Sequence, residues 1–119
     1  MTFEEIAIRK DRQRVALQEN LDNITRQLQE LGALRIILFG SFATGKIHSW
    51  SDLDIVVIMP ATKTSKEWKE DIYNNIDWNV GCDLLVYTMQ EFESMLPVSR
   101  FLRYALQQGK VIYDTRPQK

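Results

Sequence analysis

The chain has 119 residues, 45% of them hydrophobic, enough to bury the core of one compact domain without disulfides or a structural metal. Fifteen Lys and Arg stand against sixteen Asp and Glu, a net charge of -1, so no overall positive field draws in long nucleic acid. A single cysteine excludes an internal disulfide framework, no apolar run approaches the roughly 20 residues that cross a bilayer, and Met1 to Arg14 lacks the apolar stretch of a signal peptide. These features predict one unexported, cytoplasmic domain over residues 1–119, with no membrane association.

From Thr2 to Leu31 there is neither Gly nor Pro, and Leu17, Leu21, Ile24, Leu28 and Leu31 recur at steps of four and three. That periodicity predicts a long N-terminal helix over 1–31, with Thr2 and Glu5 as a capping box and Gly32 as its stop. The charge run from Arg9 to Arg14 interrupts the apolar stripe, so the first turns either project from the core as a solvated face or form a separate helix. After Gly32, Leu34 to Phe39 reads as a strand buried on both faces and ending at Gly40. The second strand has its apolar stretch at Ile55 to Met59, is stopped by Pro60, and has Asp52 and Asp54 at its start. Thr64 with Glu67 caps a helix that carries Trp68, Ile72 and Ile76 on one side, and Gly81 closes it. Cys82 to Tyr87 reads as a third strand. Thr88 with Glu91 caps a helix broken at Pro97, a further helix covers Val98 to Gln108 as far as Gly109, and Val111 to Tyr113 forms a last short strand. The order is that of an α/β (α+β) sandwich, a small mixed sheet flanked by helices, with the core at 32–114 and a frayed tail at 115–119.

Only about a dozen residues join the first two strands, and this connection is where chemistry is expected. A strand that ends in Gly40 and turns at once into Ser41 lets the backbone come close to a bulky anion, because Gly has no Cβ. If Ser41 opens a short helix, its hydroxyl and the following free amides converge on one phosphate position. Asp52 and Asp54 flank Leu53, and the period of two puts both carboxylates on one face, roughly 6 to 7 Å apart in Cα. Two such acids repel unless they are solvated or share a cation, and magnesium, held by one or two carboxylates together with phosphates, suits them. Asp83 interrupts an otherwise apolar strand. If that strand lies beside Asp54, Asp83 completes a three-carboxylate set, as a metal ligand or as the base that takes a proton from an attacking hydroxyl. Cys82 then points to the opposite face as a small buried thiol. Lys46 is a candidate phosphate contact, and Ser51 a candidate cap at the strand entrance. His48, the single histidine, cannot make a zinc site alone, and Trp50 is read as packing beneath the loop.

Gly40-Ser41, ten intervening residues and Asp52-Leu53-Asp54 resemble the signature of the polymerase-beta-like nucleotidyltransferase superfamily. The small size resembles its minimal nucleotidyltransferase branch, the MNT proteins commonly encoded beside HEPN-domain partners. Cys-Asp-Leu-Leu-Val-Tyr-Thr at 82–88 is similar to the segment that bears the family's third acid, and Gln108 to Tyr113 to its usual ending. The resemblance implies a nucleotidyltransferase fold and transfer of a nucleoside monophosphate from ATP. It also implies two magnesium ions on Asp52, Asp54 and Asp83, with the Gly40-Ser41 turn on the departing phosphates. It points further to a HEPN-type toxin as partner in a homo- or hetero-oligomer, adenylylated by this chain acting as antitoxin. A non-catalytic module that neutralises its partner by contact is the alternative. Transfer to a small molecule such as an aminoglycoside shares the motif but usually needs an extra domain. Trp68, Trp78, Tyr73 and Phe92 are read as core packing, with a partner surface as the second reading.

Overall fold

In the computed structural model, which describes residues 2–40, 53–76 and 82–116, helix α1 (Phe3–Leu31) begins at a reciprocal cap. The Thr2 hydroxyl accepts from the Glu5 amide at 3.1 Å, and the Glu5 carboxylate accepts from the Thr2 amide at 3.4 Å. Gly32 ends the helix in the left-handed conformation, and the charged run does not break it. Leu17, Leu21, Ile24 and Leu28 are buried, whereas no described residue before Leu17 is. The first turns of a helix about 43 Å long therefore stand clear of the core as part of one continuous rod.

Four strands, β1 (Arg35–Phe39), β2 (Leu53–Met59), β3 (Cys82–Thr88) and β4 (Lys110–Asp114), make one mixed sheet in the order β3-β2-β1-β4. Strand β1 is antiparallel to both neighbours, and β2 pairs with β3 in parallel. A parallel pair needs a crossover, supplied here by α2 (Ser65–Asn75). Helices α3 (Met89–Met95) and α4 (Arg100–Gln108) separate β3 from β4. The boxes predicted at Thr64 with Glu67 and Thr88 with Glu91 both form. The last helix starts two residues later than its sequence suggests, because the Ser99 hydroxyl accepts from the Leu102 amide and so occupies the N-cap.

The sheet is covered on both sides. On one face Ile36, Leu38, Leu53, Ile55, Val57, Met59 and Leu84 pack under the α1 stripe and under Trp68 and Ile72 of α2. On the other, Ile37, Val56 and Ile58 pack against Phe92 of α3 and Leu102 of α4. Trp68 and Phe92 are thus core residues, and the Trp68 indole N–H donates to the Pro60 carbonyl. Tyr73 is half exposed, and Trp78 lies outside the described residues. Since Leu28 is wholly buried and Ile8 is 53% exposed on the free part of α1, the two ends of this helix differ in what they contribute. Leu28→Ala is expected to lower unfolding free energy in urea by about 2 to 5 kcal/mol. Ile8→Ala should change it by no more than about 0.5 kcal/mol, and a larger loss there would show that the first turns are packed.

Candidate active site

The crossover through α2 brings the amino ends of β2 and β3 to the same end of the sheet, where β1, running the other way, delivers its carboxyl end. Phe39 is the Cα partner of Asp54 across the first pair, and Asp54 is the Cα partner of Asp83 across the second. Alternation along each strand fixes which face these residues share. Val56 and Ile58 of β2, Leu85 and Tyr87 of β3 and Ile37 of β1 all belong to the α3–α4 side, so Asp54, Asp83 and Phe39 stand in one row on that side. The two carboxylates rise from neighbouring strands, about 4.8 Å apart in backbone, with Asp54 half-buried and Asp83 exposed. Like charges on adjoining strands repel, and a cation between them would offset this. Cys82 faces the other way, half-buried against the α1–α2 core, as its position before Asp83 predicts.

Gly40 follows at the end of β1 with φ 78°, in the left-handed region. A Cβ at this position would collide with Asp54 Oδ2 and meet Asp54 Cγ at 2.9 Å. The absence of a side chain is therefore what lets the Asp54 carboxyl lie against the turn. Ser41, Lys46, Ser51 and Asp52, together with His48 and Trp50, lie outside the described residues. Among the described residues no three His, Cys, Asp or Glu side chains converge on one point, and the acids brought together are the pair Asp54 and Asp83.

That pair opens into a cavity of about 420 Å³ along the outer edge of β3, lined by Phe39, Asp54, Asp83 and Cys82 and, from α2, by Lys69 and Tyr73. Lys69 is not among the residues the sequence singles out, and Tyr73, expected there as core packing with a partner surface as the second reading, is half exposed. The available signal was their i, i+4 spacing on the polar side of the helix that leads into β3, a pattern shared with any solvated helix face. On the far side of the acid row, the Phe39 ring meets Phe101 of α4 edge to face, with centroids 5.5 Å apart. The arrangement combines a close-approach turn with two carboxylates on one face, which suits an anionic ligand bound together with a hard cation.

Residues 19–113 match the family described as nucleotidyltransferase domain. Among solved structures, a Sulfolobus solfataricus protein assigned as a nucleotidyltransferase is 14% identical, with a TM-score of 0.60 over 85% of this chain and 83% of its own. A toxin–antitoxin structure with AMP-PNP is 25% identical, with a TM-score of 0.51 over 82% of this chain and 75% of its own. No curated protein matches the chain at comparable significance. The Gly40 geometry leads to a double-mutant test. Gly40→Ala is expected to lower stability by about 1 to 3 kcal/mol, and the penalty should shrink by at least about 0.5 kcal/mol when Asp54 is also changed to Ala. Equal penalties in both backgrounds, measured by chemical denaturation, would show that Gly40 and Asp54 are uncoupled.

Proposed function

Since the chain belongs to the nucleotidyltransferase domain family, we propose that it transfers AMP from ATP to a hydroxyl of a partner protein with magnesium as cofactor. The partner in this reading is the HEPN-domain toxin of a toxin–antitoxin pair, with this chain as the cytoplasmic antitoxin. The observation that carries the reading is Asp54 beside Asp83, on one face and against the Gly40 turn. A structure of 25% identity is a toxin–antitoxin bound to AMP-PNP, an ATP analogue, which supports both the nucleotide and the kind of partner. No helix among the described residues is long and apolar enough to cross a membrane.

The donor chemistry fits magnesium, since every ligand at hand is a carboxylate oxygen and the thiol of Cys82 faces away. Asp54 and Asp83, joined by Asp52 from the same strand sequence, would hold the metal, two ions in all. Bound there, it would supply positive charge to the phosphate oxygens. The rest of the reaction falls to the chain's own groups. Gly40 and Ser41 hold the β and γ phosphates on backbone amides and hydroxyl, with Lys46 as a further contact and Ser51 as the cap of the strand that orients the acids. The acceptor oxygen attacks the α phosphorus, forming a new P–O bond while the bond to the bridging oxygen breaks and pyrophosphate leaves. The free oxygen of Asp83, the exposed member of the pair, takes the hydroxyl proton. Position and charge thus do most of the work, with little covalent chemistry from the protein.

Incubation with the protein encoded by the neighbouring gene, labelled ATP and magnesium should transfer label to that protein. Asp52→Asn combined with Asp54→Asn should reduce transfer by at least about 100-fold, the scale of losing charge stabilisation at a reacting centre. A double variant that transfers at the wild-type rate would refute the assignment. One that is inactive yet still protects against the neighbour would favour the contact-only module.

A further inference from the structure

In the proposed reaction the Gly40 turn and the acid pair serve the nucleotide side of the site. They leave Lys69 and Tyr73, which line the same cavity as the acid pair although their helix packs on the opposite face of the sheet. They reach it around the edge of β3, since the cavity is lined by residues from both faces of that strand, Cys82 and Leu84 on one and Asp83 and Leu85 on the other. The Lys69 ammonium lies 6.0 Å from the centroid of the Tyr73 ring, one turn along the helix, and the ring is half exposed. The same two residues also line a second groove of about 410 Å³ that continues along α2 past Lys66, Glu70 and Asn74. Lys69 and Tyr73 therefore stand where the acid-lined cavity passes into an open track on the helix surface.

From this placement we infer that Lys69 and Tyr73 are the binding residues for the acceptor, and that the acceptor is a hydroxyl-bearing polypeptide segment with an acidic side chain near the hydroxyl. The inference rests on the transfer reaction proposed above. In-line displacement needs the attacking oxygen opposite the leaving group. Across the sheet the order is the Gly40 turn after β1, then Asp54 on β2, then Asp83 on β3. With the departing phosphates on the Gly40 side, the attacking hydroxyl enters from the β3 side, where the α2 residues stand. The track there carries Lys66 and Lys69 against Glu70, a local excess of positive charge on a chain whose net charge is -1, which favours an acidic segment. The half-exposed Tyr73 ring adds a flat contact surface.

The test uses the full chain, with the neighbouring gene's protein as acceptor and AMP-PNP as the binding probe. Lys69→Glu is expected to raise the KM for the acceptor at least tenfold, with kcat changed less than threefold and AMP-PNP affinity unchanged. Tyr73→Ala should raise the same KM, Tyr73→Phe should restore most of it, and circular dichroism should report an unchanged fold. If wild type transfers label and Lys69→Glu leaves the acceptor KM unaltered, the acceptor site is overturned while the transferase reading stands. A loss of AMP-PNP affinity in Lys69→Glu would place the lysine on the nucleotide and overturn it equally. If wild type transfers nothing, both readings fall together.

Discussion

Strand β2 is held on four sides: by β1 and β3 through backbone hydrogen bonds, and by helices on both faces through side chains from Leu53 and from Ile55 to Met59. Six of its seven residues are buried, and Asp54 is the exception. A strand so enclosed has no freedom to slip, because a shift of one residue would carry Asp54 to the α1–α2 face and exchange two sets of packed side chains. The position of the carboxylate is therefore set by the apolar residues around it. The same logic extends to Asp83, whose strand is tied to β2 along its whole length from Leu53 with Cys82 to Met59 with Thr88. The hydrophobic core fixes the register, and the register brings the charges together.

This order of causes explains what could be read in the sequence. All three capping boxes were legible because each is a local exchange between a Thr and a Glu three residues on. The helical stripe from Leu17 to Leu28 and the two-sided burial of β1 and β2 were legible because periodicity reports burial directly. Two points remained open until the fold was known. Whether the charged run from Arg9 to Arg14 breaks α1 depends on the sum of helix propensities against packing, and residues that pack against nothing leave no periodic trace. Whether Asp83 lies beside Asp54 depends on strand order, which a crossover decides and no local signal records.

Of the candidate site, Gly40, Asp54 and Asp83 fall among the described residues, and Ser41, Lys46, Ser51 and Asp52 lie outside them. Gly40 was singled out as a place where a backbone comes close to an anion. In the fold its missing Cβ first makes room for the Asp54 carboxylate, so this glycine is tied to the acid pair as well as to the turn. Lys69 and Tyr73 could not be found from spacing, because an exposed lysine and tyrosine one turn apart look the same on a solvated helix and on a binding surface. They stand out only once the β3 edge brings them to the cavity that also holds the acids.

The electrostatics link these parts. A chain with a net charge of -1 gains nothing from long-range attraction for a polyanion, so any affinity for a triphosphate would come from groups acting at contact distance. Two adjacent carboxylates make the local field worse for a bare phosphate and better for a phosphate that arrives with a divalent cation. Such a field favours an anion that carries its own divalent cation over a bare one. The lysines of α2 sit on the other side of the acids from the Gly40 turn, so positive charge is available beyond the carboxylate face. A site with negative charge at its centre and positive charge on one rim would, under the transfer reaction proposed here, separate two substrates by charge alone, nucleotide with metal on one side and an acidic acceptor on the other.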